Sequence, residues 1–404
     1  MTEAAAPATK RAEGAPLRLF LVAGEHSGDA LGARLMEALV RAHPGPITFD
    51  GVGGDLMAAQ GLASLFPLSD VAVMGPFAIL RRLAPIVRRV YQTIDAGLAF
   101  APDALVIIDS PEFTHPIARR IRRRRPAIPI IDYVSPSVWA WRPGRAKAMT
   151  PYVEHLLALL PFEPAAHARL GGPACTYVGH PLIERLDWLA ALDPAPLAER
   201  LGLDRSQPVL VVLPGSRRSE VGRLIAPFAA TVELLAMHHP GLQVIVPAVP
   251  HVRADIERGL AGVGARVHIV EGELDKWCAF KLARAALAAS GTVTLELALA
   301  RAPFVVAYRV DALLAALLRR MATAKSAVLP NLVLGENAFP EFLQEAATPE
   351  RLAAAIDELL RDGTARTGQL AALARVPELM RLPSGSPSDA AAAIVLDYAT
   401  RARK

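Results

Sequence analysis

Short apolar runs recur along this chain, each stopping on a turn that contains Gly, Pro or Ser, with helix-length segments between them. Leu17–Ala23 reads as a buried strand, Gly24-Glu25-His26-Ser27-Gly28-Asp29 as a polar turn, and 30–41 as a helix with apolar residues at 31, 35, 36 and 39. The grammar repeats at Ala104–Ile108 before Asp109-Ser110-Pro111, at 128–133 before a Trp-containing segment, and at 155–160 before Pro161-Phe162-Glu163. Tyr177-Val178 then leads into Gly179-His180-Pro181. It restarts at Val209–Leu213 before Pro214-Gly215-Ser216-Arg217 and continues through 242–246, 267–270, Ala285–Ala289 before Ser290-Gly291-Thr292, and Phe304–Tyr308. Such alternation builds parallel sheets covered by helices on both faces. Residues 192–207, rich in Pro, Asp and Arg and lacking a strand, read as the linker between two α/β halves. Ligands of open parallel sheets sit at the strand C-termini, and two such sheets facing across a cleft make a two-substrate site.

A length of 404 residues gives both halves a core of their own. Hydrophobic content is 52%, yet no uninterrupted apolar run approaches the roughly 20 residues that cross a bilayer. Residues 1–16 are polar and Ala-rich, lack the apolar core of a secretory signal, and read as a disordered tail, so the chain is expected in the cytoplasm. Cys175 and Cys278 match no metal-ligand spacing, and there is no HExxH, Cys/His cluster or EF-hand loop, so neither metal nor cofactor is expected. The net charge of +5 is concentrated in two groups, Arg119, Arg120, Arg122, Arg123, Arg124 and Arg125, and Arg81, Arg82, Arg88 and Arg89. Such patches suit anionic lipid or phosphorylated small molecules. Nucleic acid is not expected, because no zinc finger, RNP-like strand or basic zipper is present.

The densest chemical signal is Tyr133-Val134-Ser135-Pro136-Ser137-Val138-Trp139-Ala140-Trp141-Arg142, which holds two of the chain's 4 Trp. Trp is placed where its ring packs and its N–H finds a partner, so the grouping reads either as a loop anchor or, with Ser135 and Arg142 beside it, as a shaped pocket. Gly24 to Gly28 is neither a GxGxxG nor a Walker A loop, but Gly28 permits close backbone approach. Glu25, Ser27 and Asp29 offer acceptors for sugar hydroxyls, although Ser27 or Asp29 equally serves as a helix cap. Asp109 ends an apolar strand, where a carboxylate either caps a neighbouring turn or faces the cleft and takes a proton from an attacking hydroxyl. His115 is close enough in sequence to serve instead.

In Leu213-Pro214-Gly215-Ser216-Arg217-Arg218-Ser219-Glu220 a strand, a Gly turn and a helix start bring backbone N–H groups, a hydroxyl and a guanidinium together; this reads as a diphosphate cradle without a metal, ahead of the alternative of a surface N-cap with solvated arginines. Ser290-Gly291-Thr292-Val293-Thr294-Leu295-Glu296 repeats that logic: Thr292 and Thr294 can donate to phosphate or base, and Glu296 can accept both hydroxyls of a ribose or, one residue beyond the ideal spacing, close a capping box with Thr292. Asn331, among Leu329, Pro330 and Leu332, needs a partner from protein or ligand. Residues 76–94 carry an apolar helical stripe with arginines off it, either a core helix or a membrane-surface helix exposing Met74, Phe77 or Leu80.

Together these stretches, with Val73-Met74-Gly75, Leu160-Pro161-Phe162-Glu163 and Gly179-His180-Pro181, run in order over 17–385 and closely resemble the lipid-A-disaccharide synthases, glycosyltransferases of the GT-B class. The resemblance implies an α/β GT-B fold, two Rossmann-like domains facing across a cleft. The tail 1–16 would precede an acceptor and membrane-facing domain at 17–200 and a UDP-sugar domain at 201–385. A C-terminal helix at 386–404 would pack back on the first domain or be exchanged in a homodimer. It implies an inverting transfer from UDP-2,3-diacylglucosamine to 2,3-diacylglucosamine 1-phosphate, giving the β-1,6 disaccharide 1-phosphate and UDP, without a metal, at the inner face of a Gram-negative inner membrane. Asp109 and Arg217 would be catalytic. Gly215, Ser216, Ser290, Gly291, Thr292, Thr294, Glu296 and Asn331 would bind the donor. Gly24, Glu25, Ser27, Gly28, Ser135, Trp139, Trp141 and Arg142 would form the cleft loops and acceptor site. Met74, Phe77, Leu80, Arg81 and Arg82 would touch the membrane. Where some members carry a basic residue after Leu334-Gly335, this chain has Glu336-Asn337. A UDP-sugar epimerase on the same scaffold would account for Ser290-Gly291-Thr292 and Glu296 but not for the Trp segment. A non-catalytic lipid- or nucleotide-binding protein is the other alternative.

Overall fold

Strands Leu17–Ala23 (β1), Ile47–Val52 (β2), Ala104–Ile108 (β3), Ile130–Tyr133 (β4), His155–Ala158 (β5) and Ala174–Tyr177 (β6) form one sheet in the computed structural model, which describes residues 16–72, 83–311, 315 and 323–402. Their order is β2-β1-β3-β4-β5-β6 and every pairing is parallel. Val209–Leu213 (β7), Gln243–Pro247 (β8), Arg266–Val270 (β9), Ala285–Ala289 (β10), Phe304–Tyr308 (β11) and Glu341–Leu343 (β12) form a second, also parallel, in the order β12-β11-β10-β7-β8-β9. Central strands of both sheets read as continuous apolar runs because both faces are covered: β1, β3, β7 and β10 are buried at almost every position.

The strand order reverses between β1 and β3 in the first sheet and between β7 and β10 in the second. At such a switch the connections leave in opposite directions and open a crevice beyond the strand C-termini. The turns after β1 and β3, and those after β7 and β10, are therefore neighbours by topology.

The chain divides into two units, one made of residues 1–181 with 382–404, the other of 182–381. These limits differ from the expected breaks at 200 and 385. The expected linker at 192–207 contains the helix Ala195–Leu201 and belongs to the second unit. Side chains staple it there: Lys281 Nζ donates to the carbonyl of Leu192 (2.7 Å), and Arg266 donates to those of Leu201 (3.1 Å) and Gly202 (2.9 Å). The helix Pro387–Arg401 lies against the helix His26–Ala42. Its Ala391, Ala392, Val395 and Ala399 share a core with Leu35, Leu39 and Val106, and Asp389 accepts from Arg41 at 2.5 Å.

Two apolar clusters flank the first sheet, one around Leu19, Leu21 and Ile108, the other around Phe20, Ile107 and Ile117. In the second unit the helix Arg218–His238 is, by length and composition, able to cross a membrane. Its Val221, Leu224, Phe228, Val232 and Leu235 are instead buried in that unit's core. The helix expected over 76–94 is observed as Leu83–Phe100, and Met74, Phe77, Leu80, Arg81 and Arg82 lie outside the described residues.

Candidate functional site

The helix after β1 starts at His26, earlier than its apolar pattern suggests, so Ser27, Gly28 and Asp29 form its first turn. Gly28 is needed for space: a Cβ there would lie 3.2 Å from the Ile108 carbonyl oxygen and 3.3 Å from the Ala23 Cβ. Gly24 abuts the turn after β3, where a Cβ would meet Ser110 Cβ at 2.5 Å. The two turns are thus in contact, and Ser27 Oγ donates to Asp109 Oδ2 at 3.1 Å. Asp29 is not a sugar acceptor. It is buried and accepts from the backbone N–H groups of Gly54 (2.8 Å), Leu56 (3.1 Å) and Met57 (3.0 Å), capping the helix Asp55–Ala59. Glu25 is half-buried in its turn.

Asp109 and Ser110 are both left-handed, with φ of 55° and 45°. Each such residue costs about 1–3 kcal/mol and persists only where its surroundings hold it. The Ser110 N–H donates to Asp109 Oδ1 (2.7 Å), and Thr114 Oγ1 donates to the Asp109 carbonyl (2.8 Å). Val134 (φ 94°), Ser137 (φ 50°) and Arg142 (φ 52°) are strained at the end of the next strand, β4. Among the described residues of the first unit, the left-handed non-glycine residues other than Ala101 (φ 47°) therefore lie at the strand ends that carry the candidate acid and the Trp segment.

His115 is not a free base. Its Nε2 lies 3.2 Å from Asp132 Oδ2 and its Nδ1 2.9 Å from the Tyr152 hydroxyl, and all three side chains are buried. Burial pushes the Asp132 carboxyl up, His115 opposes this, and Asp109 adds to it.

The Trp segment is held from beneath. Trp139 Nε1 donates to Glu163 Oε1 at 3.0 Å, and its ring meets Phe162 edge-on at 5.1 Å. Glu163 Oε2 accepts from the N–H groups of Leu159 (3.0 Å) and Leu160 (2.9 Å). Ser135 Oγ lies 2.9 Å from the buried His167 Nε2. Burial raises Glu163 to about 7 against these hydrogen bonds, and burial lowers His167 to about 4. Ser135 and the Trp139 N–H are thus engaged within the protein, while Trp141 is half-buried with the exposed Arg142 guanidinium 4.2 Å from its ring centre. Arg145 (2.6 Å) and Arg142 (3.8 Å) flank Glu112. Burial raises that carboxyl, but the two cations hold it below its ordinary value.

In the second unit, Gly215 turns the chain after β7 at φ 120°, and Glu220 closes the turn. Its Oε2 accepts from the N–H groups of Ser216 (3.1 Å) and Arg217 (3.3 Å), and its Oε1 from Arg217 Nη1 (3.2 Å). The N–H groups expected to be open to a diphosphate are therefore capped by a carboxylate of the same helix, a capping box. The Arg217 side chain is 55% exposed and remains reachable.

After β10, Gly291 adopts φ 144°, Ser290 Oγ donates to the Ala327 carbonyl (2.6 Å) and Thr292 is exposed. Thr294 differs from expectation: it is fully buried and its hydroxyl donates to the Gly291 carbonyl (2.8 Å), shaping the turn. Asn331 differs likewise. Its Oδ1 accepts from Phe339 N (2.9 Å), and its Nδ2 donates to the Phe339 carbonyl (2.9 Å) and to Ser326 Oγ (3.2 Å), so the buried amide is spent on protein. Glu296 is half-buried, with Lys276 Nζ 3.0 Å from its Oε1.

Sequence reasoning assigned no role to Glu163, Glu220 or Lys276. Glu163 and Glu220 stood inside quoted motifs, whereas the only local mark on Lys276 is Glu273 three residues before it. Among the described residues no group of three or more His, Cys, Asp or Glu side chains could hold a metal ion.

A family model described as Lipid-A-disaccharide synthetase matches residues 19–395. A lipid-A-disaccharide synthase of Rhodopseudomonas palustris (strain HaA2) is 52% identical over 384 residues, covering 95% of this chain and 97% of that protein. Among solved structures, the UDP-GlcNAc 2-epimerase of Neisseria meningitidis bound to UDP-GlcNAc superposes with a TM-score of 0.63 at 14% identity, covering 95% of this chain and 100% of that one. MurG of Acinetobacter baumannii does so with a TM-score of 0.56 at 10% identity, covering 95% and 100%. Identities this low speak for the shared GT-B fold alone, and the epimerase is a distant structural relation. The chain belongs to the lipid-A-disaccharide synthase family of hexosyltransferases.

Proposed function

We propose that the protein joins the sugar of UDP-2,3-diacylglucosamine to the 6-hydroxyl of 2,3-diacylglucosamine 1-phosphate. Asp109 accepts the hydroxyl proton as the oxygen attacks the anomeric carbon. The carbon–oxygen bond to the diphosphate breaks on the opposite side, the centre inverts, and UDP leaves. Arg217 offsets the charge that grows on the leaving group. Ser216, Gly291, Thr292 and Glu296 bind the nucleotide, and Glu220 releases the Ser216 and Arg217 N–H groups as the diphosphate arrives. The Trp141–Arg142 face and the arginines beside it bind the acceptor. Holding two amphiphiles in register supplies much of the rate.

The observation that carries this reading is the carboxylate of Asp109, held by the Ser27 hydroxyl and the Ser110 N–H on a strained backbone at the strand-order switch. Family membership supports the donor and acceptor classes. Incubating the purified protein with both acylated sugars and detecting the disaccharide by mass tests it. Interconversion of a UDP-sugar supplied alone, with no disaccharide, would favour an epimerase instead.

Both substrates are amphiphiles, and the reading includes peripheral attachment to the inner face of the inner membrane. Its support is the stripe Leu83, Val87 and Tyr91, exposed at 49%, 43% and 45% and spaced four residues apart on one helix face, with Arg120 beside Tyr91. Co-sedimentation with anionic but not zwitterionic vesicles checks this part.

A further inference from the structure

Glu296 belongs to a closed set of charges. Lys276 Nζ lies 3.0 Å from Glu296 Oε1 and 2.7 Å from Glu273 Oε1. The other Glu273 oxygen accepts from Arg185 Nη1 (2.9 Å) and from Trp277 Nε1 (3.3 Å). Two carboxylates and two cations balance, drawn from the turn Pro181–Arg185 and the helices Glu273–Leu282 and Val293–Leu299. The Lys276 side chain is 20% exposed and that of Glu296 16%. Trp277, next to Lys276, is fully buried between Phe280 and Trp188, so the backbone carrying the ammonium is anchored.

We propose that Lys276 is a positioning residue of the donor site, fixing the Glu296 carboxylate so that it can receive the vicinal hydroxyls of a ribose. The inference rests on the reading that Glu296 grips the ribose of UDP. A diol offers two O–H donors. A carboxylate can accept both, whereas a carboxylic acid must spend one oxygen on its own proton. Burial raises the Glu296 carboxyl, Lys276 is the main counterweight, Glu273 adds to the rise and Arg185 opposes it. Among the described residues these are the charged groups that act most on the Glu296 carboxyl. Without the ammonium the carboxyl would take up a proton at a higher pH, and the diol would lose an acceptor.

UDP titration calorimetry between about pH 6 and 8 tests this, with each variant expressed as a ratio to wild type so that UDP's own ionisation cancels. Lys276→Met should weaken UDP by roughly 10-fold at the acid end and less at the alkaline end. Lys276→Arg should return the ratio to near one throughout. Lys276→Gln carries the same expectation as methionine should methionine not be tolerated. Glu296→Gln should weaken UDP by a factor that does not change with pH. A Lys276→Met ratio near one, or a loss equal at both ends and not rescued by arginine, would overturn the role of Lys276. If Glu296→Gln bound UDP as wild type does, the donor reading itself would fall. A weak Glu296→Gln beside a normal Lys276→Met would remove Lys276 alone.

Discussion

The Ser27 hydroxyl donates to the Asp109 carboxylate over 3.1 Å, joining the turns that follow β1 and β3. Asp109 can then hold a carboxylate oxygen at a fixed point while its own backbone is strained. Asp109→Asn should lower turnover by about 10²–10⁴-fold, measured as UDP release with both substrates present. UDP affinity should be unchanged, because the nucleotide is assigned to the other unit. Ser27→Ala should cost about tenfold, the value of one hydrogen bond to a charged group. Because both residues act through one carboxylate, the double variant should be no slower than Asp109→Asn. Additive losses would separate Ser27 from the acid.

Glu220 occupies N–H groups that a diphosphate would need. Glu220→Gln keeps the shape of the cap but removes a negative charge facing the incoming phosphates. UDP should bind several-fold more tightly, while the melting temperature falls slightly because a negative charge at a helix N-terminus is worth about 0.3–1 kcal/mol. Arg217→Ala should act oppositely on affinity. Calorimetry and a thermal melt read both effects. Weaker UDP binding by Glu220→Gln would mean that the cap and the nucleotide do not compete.

Glu163 sets a pH dependence of stability. Its folded value of about 7 lies above its ordinary value of 4.5, so the stability it contributes is fully present below about 4.5 and is lost as pH rises through 7. The stability of wild type minus that of Glu163→Gln should therefore shrink over this window, by up to roughly 3 kcal/mol. His167, lowered to about 4 from 6.5, acts in the opposite sense, its contribution being lost as pH falls, and it cancels in the comparison because both proteins contain it. Urea unfolding at several pH values checks the slope. A flat difference would show that Glu163 stays ionised across the window.

Asn331 clamps the Phe339 backbone and touches Ser326, whose neighbour Ala327 receives the Ser290 hydroxyl. Asn331→Ala leaves buried backbone groups unpaired, at about 1–3 kcal/mol each. Stability should drop by a few kcal/mol, and UDP affinity should drop with it through the displaced 326–328 backbone. Normal UDP binding by a folded Asn331→Ala protein would cut that route.

The alternation of apolar runs and helical segments was enough to read the doubly wound α/β class, because buried parallel strands have no polar face to disguise them. The positions of Asp109, Gly215 and Gly291 at strand ends were legible for the same reason. The role of Asn331 was not, since an amide that satisfies a backbone and one that awaits a ligand look alike in sequence. Asp29 and Thr294 posed the same ambiguity and resolved toward the backbone. Lys276 drew no notice, although Glu273 stands three residues back on the same helix; what the sequence hides is its contact with Glu296, 20 residues on, which only the packing of two helices sets. The segment 192–207 was misread as linker because nothing local announces that Lys281 and Arg266 will bind the carbonyls of Leu192, Leu201 and Gly202.

The helix Pro387–Arg401 also bears on how the molecule is born. The first sheet is complete when Tyr177 leaves the ribosome, yet one side of the helix His26–Ala42 still faces water. The missing wall arrives only after the whole 182–381 unit has been translated. That inserted unit is contiguous and has a core of its own, whereas the earlier-made lobe must wait, with the helix His26–Ala42 short of one neighbour, for the helix Pro387–Arg401 to be synthesised. Nascent chains stalled anywhere in between are the ones expected to recruit chaperones.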